Sequence, residues 1–156
     1  MSKQTVIKVD LKLAFKKVNK EDITSILIGK WTKSNYCHVE IIIKDLWISS
    51  TLEEGVHIKP LRPLKDTYDY YDIEVFVTDY QYTRIMEWVY KQNRKSYDRL
   101  GILFSQFIPF RFDSRSKWFC SELVCKILQL FYIKEVMDHY PFLTSPGDLA
   151  KIYKLE

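Results

Sequence analysis

The hydrophobic pattern of the chain changes period once, and this change constrains the fold more than any other feature. Up to residue 77, with the exception of one short helix, apolar side chains recur mostly at every second position, as in half-buried strands. Beyond it they recur every three or four positions, as on one face of a helix. Strands followed by helices predict an α+β domain, with a mostly antiparallel sheet packed against helices.

The first segment alternates most clearly. Its apolar side consists of Thr5, Ile7, Val9, Leu11, Leu13 and Phe15. Further strands are predicted at residues 36–43, 46–50, 56–61 and 70–77, with a turn at 53–55. Between the first two strands, Asp22 can cap a short helix. The apolar face of that helix is Ile23, Ile26, Leu27 and Trp31.

Helices are predicted in the second half of the chain. Thr78 or Asp79 can cap the first, whose apolar face includes Ile85, Met86 and Val89. A second is expected at residues 97–107, followed by a polar loop at 111–117. The clearest helix is predicted at residues 120–132. The last begins at the segment 145–148 (SPGD), with Ser at the N-cap, Pro at N1 and Asp at N3.

Length and composition are those of one globular domain over residues 1–156, with 47% hydrophobic residues and only 4 Gly. The polar N-terminus lacks the apolar region of a secretory signal, and no apolar run approaches the length of a transmembrane segment. We therefore expect a cytoplasmic protein with three reduced thiols.

The formal net charge is +4, and one dense basic cluster stands out: Lys12, Lys16, Lys17 and Lys20. It lacks the interleaved aromatic residues and the broad basic stripe of a nucleic-acid interface, so no nucleic-acid partner is expected. Attraction to an anionic surface, such as a cell-wall polymer or lipid headgroups, stays open.

Cys120 is the strongest candidate for chemistry. It lies where a polar loop ends and the apolar helical face begins, and the loop is cationic through Arg111, Arg115 and Lys117. Unpaired N–H groups at a helix start and nearby cations both favour the thiolate. Cys125 falls inside the helix and suits burial as a small apolar side chain.

A base for this thiol is available in His38, in the middle of an otherwise apolar strand. Period-two geometry puts Tyr36, His38, Glu40 and Ile42 on one face and Cys37, Val39 and Ile41 on the other. Glu40 could orient the imidazole, or the third residue could be Ser49 or Glu53 from a neighbouring segment. His57 and His139 have ordinary settings and are interpreted as structural.

Neither a metal nor a cofactor is expected. Cys37 and His38 point to opposite faces of a strand, and Cys120 and Cys125 do not have a common zinc-ligand spacing. The chain also lacks a glycine-rich phosphate loop or dinucleotide fingerprint.

Five short motifs in order resemble those of the permuted NlpC/P60-like (papain-like) cysteine hydrolases, the group related to YiiX and YaeF. They lie at residues 34–42 (SNYCHVEII), 47–50 with 55–61 (WISS and GVHIKPL), 97–101 (YDRLG), 117–124 (KWFCSELV) and 145–149 (SPGDL). The match is collinear from about Asp22 to Leu149. Cys37 departs from the family pattern, in which Ser is frequent at that position.

The resemblance implies a circularly permuted papain-like fold in which the strand with the base precedes the helix with the nucleophile. It carries the nucleophile to Cys120 and the base to His38. Many relatives orient the His with a Glu on the next strand, and its nearest counterpart here is Ser49. Phage-type members carry an H-x-E arrangement, which favours Glu40. Implied substrates are peptides, peptidoglycan stem peptides, and acyl amides or esters.

The expected function is therefore a cysteine peptidase or amidase that works through a thioacyl intermediate, in the host cytoplasm or a virion if the chain is phage-encoded. Two alternatives stay open: a thiol acyltransferase with a lipid or amine acceptor, and an inactive papain-like binding or virion-associated module. The aromatic residues Trp31, Tyr36, Trp47 and Trp118 are candidates for lining the cleft, although core packing suits at least half of them.

Overall fold

The computed structural model describes residues 4–51, 53–95 and 119–156. Five strands are present in this part of the chain: β1 (Val6–Lys17), β2 (Tyr36–Ile43), β3 (Leu46–Thr51), β4 (Gly55–Pro60) and β5 (Tyr68–Thr78). The α-helices are α1 (Ile23–Thr32), α2 (Asp79–Gln92), α3 (Cys120–Leu130) and α4 (Pro146–Ile152). Two short 3-10 helices, Lys134–Val136 and Pro141–Leu143, separate α3 from α4.

The strands form a single sheet in the order β4-β3-β2-β1-β5, and every neighbouring pair is antiparallel. β1 pairs with both β2 and β5 along most of its length. β2 and β3 are paired only where Ile41–Ile43 faces Leu46–Ile48. The predicted α+β class and antiparallel sheet are therefore confirmed.

The helices cover one face of the sheet and create the main core there. Its fully buried members include Val9, Leu13, Phe15, Val39, Ile41, Ile43, Leu123, Ile127, Leu128 and Leu149. The opposite face carries a much smaller cluster, in which Ala14, Ile42 and Trp47 pack with Tyr68 and Tyr70. Alternate residues of β2 thus supply both layers, which explains why this strand is buried along almost its whole length.

Helix boundaries follow the capping signals in the sequence. At α2 the cap is Thr78, whose hydroxyl accepts from the backbone N–H of Gln81 at 3.1 Å. At α4 the predicted Ser145 cap is confirmed, with Asp148 N–H donating to its hydroxyl at 3.1 Å. α3 begins at Cys120 as predicted but ends at Leu130, because Tyr132 adopts a positive φ of 58°.

The predicted orientation of one helix is wrong. α1 forms where expected, with Asp22 as its cap, but the apolar face does not point into the core. Its buried residues are Ser25 and Gly29, while Ile23 and Leu27 are exposed. The physical reason is a close approach: a Cβ on Gly29 would come within 2.5 Å of the Val18 side chain, so only a small residue fits on the inner side.

The predicted alternation of β2 also fails at one end. Tyr36 packs in the main core against Phe15, with 5.5 Å between ring centroids, rather than on the face of His38. The register between β1 and β2 shifts between Lys16 and Lys17, so one residue of β2 is skipped. A bulge of this kind inverts the alternation on its far side.

Two predicted elements, the helix at 97–107 and the loop at 111–117, lie outside the described residues, as does Trp118. The basic cluster disperses around the described sheet: Lys12 pairs with Asp72, Lys17 with Asp69 at 2.9 Å, and Lys20 is exposed. Among the described helices, we find no segment with the length and apolar character needed to cross a membrane.

Candidate functional site

Cys120 is the first residue of α3, the helix that packs across β2 and β3. Its apolar neighbours along the helix anchor α3 in the core, which fixes the position of the helix start. The Glu122 carboxylate accepts the backbone N–H of Phe119 at 3.3 Å and so satisfies one of the donors at this end. Cys120 itself is only 4% exposed.

The sulfur of Cys120 lies beside β2, next to the point at which pairing with β3 stops. Backbone groups of Val39 on β2 and Ser121 on α3 hydrogen-bond the sulfur and favour the thiolate. Because β2 is not paired with β3 at this point, the backbone of Val39 is free to interact with the thiol.

His38 lies close enough to this thiol for charge and hydrogen bonding between the two side chains to shift the pKa of each. Its Nε2 atom lies 3.1 Å from Ser49 Oγ and 3.3 Å from Glu40 Oε1. The structure thus brings Cys120, His38, Glu40 and Ser49 together. Glu40 and Ser49, predicted as alternatives for the third residue, both contact the same ring nitrogen.

Glu40 is buried, and neighbouring side chains contact both oxygens of its carboxylate. Oε1 faces His38, while Oε2 accepts Trp47 Nε1–H at 2.8 Å and the Arg62 guanidinium at 3.3 Å. Arg62 in turn stacks over the Trp47 ring, with 4.4 Å between the guanidinium carbon and the ring centroid. One carboxylate oxygen is therefore fixed by Trp47 and Arg62, and the other is left to face the imidazole.

Trp47 and Arg62 were missed as site residues by sequence reasoning. Trp47 was a candidate only for lining the cleft, and Arg62 carries no local signal, because it follows a strand in an irregular segment. The register of β3 with β2 and the path of the chain after β4 bring both to Glu40.

The charges of the site stabilise one another. Burial alone would lower the pKa of His38, but Cys120 first and Glu40 second, through charge and hydrogen bonds, raise it well above its ordinary value. Burial likewise opposes ionisation of Cys120, yet His38 and the two backbone hydrogen bonds lower the pKa of the thiol. Despite its burial, Glu40 has a pKa of about 2, mainly because of His38.

The other two cysteines have different surroundings. Cys125 is fully buried inside α3, and burial raises the pKa of its thiol to about 11. Cys37 is buried too, and its sulfur lies 3.6 Å from the carbonyl oxygens of Lys16 and Lys17. Cys120, in contrast to Cys125, combines a lowered thiol pKa with a neighbouring imidazole.

A cleft of about 440 Å³ opens beside His38 and Glu40. Its described wall includes residues of α1 and the β3–β4 hairpin, among them Glu53 and His57. Glu53 makes no contact with His38 in the described part of the chain. His57 turns Nδ1 toward the carbonyl of Gly55 at 3.1 Å.

The predicted aromatic lining is not found in that described wall. Trp47 lies behind the site against Glu40, Tyr36 is in the core, and Trp31 lies on the outer side of α1. The described residues also contain no group of three potential metal ligands among His, Cys, Asp and Glu side chains.

Comparison with models of known protein families, with curated proteins and with solved structures gives no match.

Proposed function

We propose that the protein is a cysteine hydrolase of the permuted NlpC/P60-like (papain-like) type, with Cys120 as nucleophile and His38 as base. The observation that supports this most strongly is the pairing of a thiol of lowered pKa at a helix start with an imidazole of raised pKa on a strand. The thiolate is the nucleophilic form of cysteine, and a neighbouring imidazole is one of the groups that activate it.

Glu40 is the orienting residue in this proposal, and Ser49 assists it. Both contact Nε2 of His38, so Nδ1 is the ring nitrogen left for the thiol proton. A buried carboxylate holds the ring in one orientation and stabilises the imidazolium. Trp47 and Arg62 position Glu40 and act only through it.

The reaction is acyl transfer to sulfur followed by hydrolysis. The Cys120 thiolate attacks the acyl carbon, and His38 gives its proton to the leaving amine or alcohol as the thioester forms. His38 then takes a proton from the water molecule that attacks the thioester. The carboxylic acid product leaves, and His38 returns the proton to the Cys120 thiolate. Backbone N–H groups at the start of α3 are suited to stabilise the oxyanion in both steps.

The substrate class follows from this chemistry and from the resemblance of the motifs: amides or esters of carboxylic acids, including peptides, peptidoglycan stem peptides and acyl amides. An acyltransferase would share the first half of the reaction. Product analysis with and without an amine acceptor separates the two activities.

The proposal is tested with p-nitrophenyl acetate, which reports both steps. We expect a burst of nitrophenol, an acetyl thioester located on Cys120 by mass spectrometry, and continued turnover. Cys120→Ala should abolish burst and turnover, His38→Ala should slow both, and Cys125→Ala is the control that leaves the thioester in place. Equal acetylation of all three cysteines without turnover would contradict the proposal.

A further inference from the structure

The outer side of α1 is a surface that the catalytic proposal does not use. Three large apolar side chains lie there at four-residue spacing: Ile23 is 75% exposed, Leu27 61% and Trp31 37%. This spacing places them along one stripe of the helix. We call these three residues the α1 stripe.

The packing of α1 fixes the stripe in this outward position. On the inner side the Ser25 hydroxyl accepts the backbone N–H of Asn19 at 2.8 Å. Gly29 comes so close to Val18 and to the carbonyl of Ser34 that it leaves no room for a larger side chain. Rotation of the helix to bury the stripe would bring large side chains into this narrow contact, so exposure of the stripe belongs to the fold.

Lysines surround a groove on one flank of the same helix. The groove is lined by Lys17, Lys20, Lys30, Lys33 and Lys151, with Asp69 and Glu156 as its acidic residues. Asp69 pairs with Lys17 at 2.9 Å, and Glu156 accepts the backbone N–H of Asn35. Within the described residues the other four lysines have no ion-pair partner, so the groove carries excess positive charge beside the α1 stripe.

We propose that α1 docks the protein on the surface of an anionic lipid bilayer. The α1 stripe enters the boundary between headgroups and acyl chains, and Lys20, Lys30 and Lys33 contact lipid phosphates. The charge of the groove identifies a lipid surface as the occupant: an apolar stripe flanked by unpaired cations complements anionic headgroups above acyl chains.

Docking in this way would bring the cleft beside His38 and Glu40 to the membrane. The other flank of α1 supplies Asp22, Thr24 and Ile28 to the wall of the cleft beside His38. The docking proposal does not depend on catalysis, because it is measured as binding and Cys120 plays no part in it.

The test is co-sedimentation of the full chain with phosphatidylcholine vesicles that either contain or lack phosphatidylserine. We expect binding to the vesicles with phosphatidylserine, weakened by salt, and little binding to phosphatidylcholine alone. Binding that is equal for the two compositions, or absent from both, would overturn the proposal.

Variants test the stripe. Ile23→Ser with Leu27→Ser should remove most of the binding. The matched control is Val6→Ser with Phe76→Ser, which changes two side chains of similar exposure, 62% and 70%, on the sheet. Unchanged far-UV circular dichroism and melting temperature show that each pair folds. Equal binding of the two pairs would refute a docking role for α1.

A second pair of variants tests the charge. Lys20→Gln with Lys30→Gln should weaken binding by roughly fivefold for each lysine, and Lys91→Gln with Lys134→Gln, two exposed lysines elsewhere, should not. Light scattering of the protein alone adds one further outcome. Self-association that is lost in the Ile23/Leu27 variant, without vesicle binding, would overturn the lipid proposal in favour of a second copy of the chain.

Discussion

His38 and Glu40 lie two positions apart on β2, so both side chains leave the same face of the sheet. A buried carboxylate beside an imidazole is costly unless each satisfies the other. Here the 3.3 Å contact between Nε2 and Oε1 does so, and Ser49 adds a neutral partner at 3.1 Å. Glu40 therefore contributes to the site a charge that Ser49 cannot supply.

We predict that Glu40→Gln lowers the rate at which iodoacetamide alkylates Cys120 by roughly tenfold or more. The Gln amide can still accept a hydrogen bond from the imidazolium, but it lacks the negative charge that strengthens that bond. Ser49→Ala should cost only about two- to fourfold, since a neutral hydrogen bond is weaker. Glu53→Gln, in the same cleft wall, is the control and should match the wild type. A larger effect of Ser49→Ala than of Glu40→Gln would assign the orienting role to Ser49.

The pH dependence of stability gives a second prediction for Glu40. Its pKa in the folded state, about 2, is below the ordinary value of 4.5, so its stabilising effect is complete above pH 4.5 and is lost as the pH falls toward 2. The wild type should therefore melt at a higher temperature than Glu40→Gln near pH 6. The difference between the two melting temperatures should shrink as the pH falls toward 2. Melting curves that stay separated by a constant amount from pH 6 to pH 2 would contradict this.

At the scale of the elements, capping signals and periodicity predict where helices and strands begin, because both depend on neighbouring residues. The inner face of α1 could not be predicted in this way. Four apolar residues predict a core-facing side, but tertiary contact at Gly29 selects the opposite side. The β2 bulge that turns Tyr36 into the core likewise depends on its partner strand.

In the site, too, local sequence signals predict some residues, whereas tertiary contacts determine others. His38, Glu40 and Cys120 stand out in the sequence because ionisable or nucleophilic side chains occupy apolar elements. The contacts of Trp47 and Arg62 with Glu40 arise from strand register and loop path, which one sequence does not specify.

Gly29→Ala tests the close packing of α1. In an exposed helix this change stabilises by up to about 1 kcal/mol. Here the new Cβ would lie 2.5 Å from Val18 Cγ2 and 3.1 Å from the Ser34 carbonyl, so we expect destabilisation by about 1–3 kcal/mol in urea denaturation. Val18→Ala in the same chain should relieve part of the loss. Stabilisation by Gly29→Ala alone would show that the contact is loose.

At the scale of the whole molecule, one core joins the sheet to α3, and the helix start that carries Cys120 depends on it. Leu128 is fully buried, so Leu128→Ala should lower the free energy of unfolding by about 2–5 kcal/mol. Leu143→Ala, at a side chain that is 59% exposed, is the control and should change stability by less than about 0.5 kcal/mol. Similar losses for the two variants would contradict the account in which α3 anchors the main core.

The three thiols differ in what surrounds them in this core. Cys37 and Cys125 are buried without a basic partner in contact among the described residues, whereas Cys120 faces His38. The native protein should therefore be alkylated fastest at Cys120, because His38 stabilises its thiolate, and more slowly at the other two cysteines.

The pH profile of Cys120 alkylation, followed by mass spectrometry in the wild type and in His38→Ala, tests the thiolate–imidazolium pair itself. In the wild type the rate should reach half its maximum well below the ordinary thiol pKa of 9.0, because His38 stabilises the thiolate. In His38→Ala the midpoint should move to 9.0 or above, since burial then dominates. Midpoints near 9.0 or higher in both proteins would contradict the pairing of Cys120 with His38.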